Sequence, residues 1–292
     1  MNGSKGQRTT ENFLKQRLKE FEKKENIQVR IKLISWHRAY ENIVSSFKSS
    51  NSPDVFQVGS SWVSSLAYLN YLKVINDYQD DKTLLACWMD GCCHFQGERV
   101  GVPWIIDSEI MVARNDIIQK VGLDIKKLNT WEEFYQAHLR LNQYRRLDSS
   151  FPKVMSFAIR PDLNTLHRFI SWYFANGYDV PDLNSKEILA TSNIIEVFQY
   201  FRSLIEISDV DLSDVDKHPY QGNEDFYNKG SYVFYLGNWY GVIMKVLGQS
   251  NYINDELELV PMNIPSKNSR IGTHGGGSVL AVSSQSKYPD KA

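Results

Sequence analysis

Apolar positions along this chain change period several times, and each change marks an element. Phe13, Leu14, Leu18 and Phe21 recur at helical spacing over residues 11–24, with Lys and Glu between them, which predicts an amphipathic helix. "IQVRIKLISW" (Ile27 to Trp36) alternates apolar and polar residues and predicts a strand, and "HRAYENIVSSFKSS" returns to the helical period. The chain therefore opens as helix, strand, helix. "PDVFQVGSSW" (Pro53 to Trp62) predicts a short strand whose end, Ser60, Ser61 and Trp62, caps a helix in "VSSLAYLNYL".

"ERVGVPWIIDSEIMVARND" (Glu98 to Asp116) reads as a strand, a turn at Pro103 and a second strand through Ile110, Met111 and Val112. "NTWEEF" then carries a capping box, Thr130 with Glu133, at the head of a helix through about Leu141. Helical patterns dominate to about Ser250, with strand-like "KVMSFAI" and "SYVFYLG" between them, and "ELELVPMNIP" and "GGSVLAVSS" add two strands. Strands and helices alternating at this length indicate α/β layers with a mostly parallel sheet, in which ligands gather at the carboxyl ends of strands.

Composition narrows the partners. The 33 basic and 34 acidic residues nearly cancel, with no long run of either sign, so nothing favours nucleic acid or an anionic membrane surface. A length of 292 residues fits about two domains. Seven Trp, 16 Tyr and 14 Phe exceed what a core of this size needs, which points to aromatics lining a binding surface. The N-terminus has no apolar export segment, and no stretch approaches the ~18 apolar residues of a membrane span. Cys87, Cys92 and Cys93 are no disulfide framework, and with His94 they match structural zinc spacing poorly; no metal and no cofactor is expected.

Five stretches in order carry a resemblance: "PDVFQVGSSWVSSLAYLNYL", "GVPWIIDSEIMVARNDIIQKVGLD", "NTWEEF", "FYNKGSYVFYLGNW" and "VPMNIPSKNSRIGTHGGGSVLAVSSQSKYPDKA". Together they resemble the family 1 extracellular solute-binding proteins, receptors of ABC importers for sugars and oligosaccharides. The resemblance implies a two-lobed periplasmic-binding-protein-like α/β fold (type II), each lobe a mostly parallel sheet flanked by helices and closing on a hinge around its ligand. One lobe is expected over residues 1–108 plus 263–292 and a helix-rich one over 109–262, with crossings near 107–111 and 260–264. Against that pattern the chain reads as truncated at both ends, without the family's export signal, first strand or last helices. The implied partners are a mono- or oligosaccharide and the transmembrane subunits of an ABC permease. A monomer outside the cytoplasm, periplasmic or lipid-anchored at the cell surface, is expected.

A sugar offers C–H faces to aromatic rings and hydroxyls to paired donors and acceptors. The positions matching the family's contacts are Trp36, Ser60, Ser61, Trp62, Asp107, Trp172, Asn238, Trp239, His274, Gly275 and Gly276. Each has a plainer alternative: Trp36 and Trp172 as core, the serines as caps, Asp107 as a solvated turn residue. Trp104 is read as packing. Gly275, Gly276 and Gly277 raise a separate question, since glycine in a strand costs about 0.5–1 kcal/mol and so implies a close approach to the backbone. The resemblance gives that approach to the ligand; a tight turn is the alternative. The rival functions are a glycan-active enzyme and a carbohydrate-binding sensor. The enzyme would need a carboxylate pair, for which Asp107, Glu109, Glu132 and Glu133 are the candidates. That pairing is set aside on the reading that Asp107 and Glu109 face opposite sides of a strand and that Glu133 serves the cap.

Overall fold

Strand β4, Val102–Arg114, runs 13 residues without a break in the computed structural model, which describes residues 5–76, 88–157, 163–178, 192–208, 210, 219–238, 254 and 256–292. The expected turn at Pro103 is absent: proline lacks an N–H but is tolerated at the first residues of a strand, and Pro103 is the second. The chain divides into two compact units, Met1–Ile105 with Gly277–Ala292, and Ile106–Gly276. It passes between them twice, within β4 and within β8 (Gly275–Val282). Residues 263–276, expected with the first lobe, belong to the second unit, because Ser266, Lys267, Thr273 and His274 hydrogen-bond to Asn129, Asn176, Glu109 and Ser171 there.

The first unit opens with α1 (Lys5–Glu25) and α2 (Ala39–Lys48). Between them the predicted strand at Ile27 to Trp36 does not form. Alternation survives there, with Ile27, Val29 and Ile31 half-buried and Gln28, Arg30 and Lys32 exposed. A strand also needs a ladder, and the amides of Ile27 and Val29 instead turn back to Glu22. Strand β1 (Val55–Gly59) pairs antiparallel with β8 from Val55 opposite Val282 to Gly59 opposite Ser278. The 3₁₀ turn Ser60–Trp62 leads into α3 (Val63–Tyr68). A second 3₁₀ segment, Trp88–Cys93, leads into a two-strand hairpin, β2 (His94–Phe95) with β3 (Glu98–Arg99). Ile43, Phe47, Phe56, Val58, Leu66, Met89 and Val279 form the core.

In the second unit Met111, Val112 and Ala113 of β4 are buried on both faces, which is why their sequence is a continuous apolar run. One face packs on α4 (Asn115–Lys120), α5 (Trp131–Leu147) and α6 (Leu163–Ala175) through Ile118, Phe134 and Trp172. The other meets Phe226 and Tyr227 of α8 (Pro219–Tyr227) and Tyr232 and Tyr235 of β6 (Tyr232–Asn238). Helix α7 (Ser192–Ile207) adds Val197 and Leu204 to the first face. The capping box of α5 forms as expected, with both reciprocal bonds between Thr130 and Glu133, and the helix runs on to Leu147.

The expected mostly parallel sheet is mixed. Only β5 (Lys153–Met155) with β6 is parallel among the described pairs; β4 has antiparallel neighbours on both sides, β6 and β7 (Leu259–Met262). A helix between two strands does not make those strands neighbours, and the partners of β4 come from far along the chain.

Candidate functional site

Each unit carries its own group of candidate residues. In the first, β1 ends at Gly59, and the chain turns through Ser60, Ser61 and Trp62 into α3. Gly59 stands at the N-cap of that turn and no side chain caps it, so the expected capping role of the serines is not found. Ser61 is exposed and Ser60 half-buried. Trp62 stacks on Trp36, ring centroids 4.8 Å apart at 23°, and Tyr40 meets Trp62 edge-on at 5.5 Å. Trp36 is 43% exposed, outside the core. A paired indole surface with hydroxyls beside it can take the C–H face of a sugar ring and hold its rim.

In the second unit the site residues gather where β4 and the segment before β8 meet α6. The Glu109 amide donates to the His274 carbonyl at 3.1 Å, and the Thr273 hydroxyl donates to the Glu109 carbonyl at 2.6 Å. The His274 amide donates to the Ser171 hydroxyl of α6, and the His274 ring stacks on His167 of the same helix at 4.3 Å. Burial, and then His167, push His274 down to about 4, so it is neutral at physiological pH. Asp107 is half-buried and accepts the Ser108 amide at 2.8 Å.

Asp107 and Glu109 are two positions apart, and residues at that spacing share a face of a strand, so the opposite-face reading fails. Burial pushes the Glu109 carboxyl up to about 7; Arg168 opposes this and Asp107 adds to it. Arg168 is buried, donates through Nη2 to the Tyr235 hydroxyl at 2.8 Å, and lies 5.1 Å over the Tyr235 ring. Glu109, His167, Arg168, Ser171 and Tyr235 were not among the expected contacts. Arg168 and Ser171, polar residues on an otherwise apolar helical period, were the available signal.

Other expectations are corrected. Trp172 is fully buried beside Phe134 and Tyr200, a core residue. Trp104, read as packing, is 46% exposed, because β4 leaves one unit for the other at this point. The glycine question has an internal answer at both ends of the run. A Cβ at Gly277, φ 140°, would stand 1.9 Å from the Ile105 carbonyl oxygen, and one at Gly272 would stand 2.4 Å from that of Phe174. The chain itself makes the close approach at these two positions. Gly275 and Gly276 are half-buried residues of β8. The Asn238 backbone pairs with Glu109; Trp239 and Cys87 lie outside the described residues. Cys93 is buried, with its thiol toward the Met89 carbonyl, and Cys92 is half-buried. Among the described residues no cluster of three metal-ligating side chains occurs, and no helix is long and apolar enough to cross a membrane.

Comparison with known proteins gives one consistent result. The family model of the bacterial extracellular solute-binding proteins matches residues 6–292. The diacetylchitobiose binding protein DasA of Streptomyces coelicolor is 21% identical over 282 residues, covering 94% of this chain and 62% of that protein. The chain thus spans about three fifths of this relative's length. A solute binding protein of Thermotoga lettingae bound to α-D-tagatose superposes with a TM-score of 0.76 at 14% identity, covering 97% of this chain and 72% of that one. Maltose-bound MalE3 of T. maritima gives 0.73 at 20% identity, covering 95% and 70%. These likenesses establish the α/β fold of the sugar-binding receptors.

Proposed function

Since the chain belongs to the bacterial extracellular solute-binding proteins, we propose that it is the receptor of an ABC importer, capturing a mono- or oligosaccharide and delivering it to a membrane permease. The stacked Trp36 and Trp62 beside Ser60 and Ser61 carry this reading, since they offer an exposed indole platform bordered by hydroxyls. Relatives that bind diacetylchitobiose, tagatose and maltose support the sugar class. In the proposed mechanism residues of both units hold the ligand: Trp36, Ser60, Ser61 and Trp62 from the first, and Asp107 and His274 from the second. Asn238, Trp239, Gly275 and Gly276 are proposed contacts by their place in the sequence. The passages of chain at Ile105 to Ile106 and Gly276 to Gly277 would act as hinges. Ligand then stabilises the closed state by its differential affinity for it, and the permease reads that state. The proposed site of action is extracytoplasmic and the proposed role non-catalytic.

The test is a thermal-unfolding screen against mono- and oligosaccharides, with each sugar recovered and analysed afterwards. A ligand at 100 times its dissociation constant raises stability by about 2.7 kcal/mol. A sugar-class hit recovered intact supports the receptor; hydrolysis would favour the glycan-active enzyme, and silence across the panel would remove the sugar assignment.

A further inference from the structure

Glu109 ties together three parts of the second unit. Its backbone clasps the segment before β8 through the His274 carbonyl and the Thr273 hydroxyl. Its carboxyl is buried and feels the guanidinium of Arg168 on α6, which in turn donates to Tyr235 on β6. Two polar atoms of this network, Glu109 Oε2 and Arg168 Nε, are buried without a hydrogen-bond partner among the described residues. An orphan of this kind costs about 1–3 kcal/mol, so a network carrying two is poorly satisfied in purely structural terms. The same face holds Asp107, which raises the Glu109 carboxyl by its own charge.

We propose that Glu109 is a positioning residue for the sugar contacts of the second unit. Its ionised carboxylate occupies Arg168 and leaves Asp107 to accept ligand hydroxyls, so capture weakens when Glu109 gains a proton. This inference rests on the sugar-receptor reading and adds its regulation. With Glu109 ionised, one guanidinium serves one buried carboxylate, and Asp107 keeps its lone pairs for the ligand. With Glu109 protonated, Arg168 has lost its counter-charge, and Asp107, the other carboxylate of the group, becomes its partner in competition with the ligand. The groups around Glu109 are Asp107 on β4, His167 and Arg168 on α6, Tyr227 on α8, Tyr235 on β6 and His274 before β8. His274, held down to about 4, stays neutral through the range in which Glu109 titrates at about 7. His167 is present in every variant below, so a slope that survives the loss of Glu109 belongs to it.

The experiment is calorimetric titration of a bound sugar from pH 5.5 to 8.5 on the wild-type protein, Glu109→Gln and Tyr235→Phe. The expected wild-type affinity is highest above pH 7.5 and falls on acidification, by no more than tenfold per pH unit for one proton. Glu109→Gln, permanently neutral, is expected to bind at the weak acid-limit affinity with a flat profile and an unaltered fold by circular dichroism. Tyr235→Phe keeps the carboxylate and is expected to keep the slope. A wild-type profile that is flat, or a Glu109→Gln profile that follows the wild type, overturns the inference while leaving a sugar receptor. Absence of sugar binding at every pH overturns both.

Discussion

Trp36 and Trp62 stack at 4.8 Å although 26 positions separate them, and Trp36 keeps 43% of its surface exposed. An indole pair left open to solvent contributes less to the fold than a buried one, so its removal separates binding from stability. Trp36→Ala is expected to weaken sugar affinity by about tenfold, in line with the ~0.5–1.5 kcal/mol of an aromatic contact beyond its buried area. Its unfolding midpoint in urea should stay near that of the wild type. A variant with full affinity would remove the indole pair from the site.

Trp172 should behave in the opposite way. It is fully buried against Phe134 and Tyr200, and truncation leaves a cavity costing about 3–5 kcal/mol. Urea unfolding of Trp172→Ala should show that loss, while the molecules that remain folded bind with unaltered affinity.

Gly277→Ala tests the internal explanation of the glycine run. The added Cβ would meet the Ile105 carbonyl at 1.9 Å, and φ of 140° disfavours any L side chain. Relief requires β8 to separate from that carbonyl, so the loss should exceed the ~1–3 kcal/mol of backbone strain alone. A stability within 1 kcal/mol of the wild type would contradict the close approach.

The pattern of apolar positions gave most elements their place because it records burial. It found β1, β5, β6, β7, the long α5 and its capping box, since each depends on neighbours in sequence. It failed where an element depends on a distant partner. The alternation at Ile27 to Trp36 survives as alternating burial, yet no ladder accompanies it. The neighbours of β4 come from residues 232–262, and sequence spacing cannot report strand direction at that distance. Trp36 and Trp62 were legible as residue types at element ends. Arg168 and Tyr235 were not, because their pairing joins a helix to a strand 67 positions away.

Stability should depend on pH in two opposed ways. His138 is fully buried, and its desolvation holds it down to about 4, as with His274. Between 6.5 and 4 the unfolded chain binds more protons than the folded one, so these two groups make stability fall as pH falls. Glu109, raised from 4.5 to about 7, acts the other way: the folded state holds the extra proton, and that contribution is lost as pH rises from 4.5 through 7. Glu109→Gln should therefore remove a slope of up to about 1.4 kcal/mol per pH unit in that window. Thermal midpoints from pH 4.5 to 8 would show the variant gaining on the wild type as pH rises; parallel curves would contradict the burial of the carboxyl.

Capture of an intact sugar is the point on which the whole reading turns. Titration of mono- and oligosaccharides into the protein, followed by intrinsic Trp fluorescence, addresses it directly. The account predicts a saturable signal for one sugar class, diminished in Trp36→Ala and in Asp107→Asn, with the sugar recovered unchanged. Saturable binding that ignores both substitutions, or a signal from no sugar at all, would contradict it.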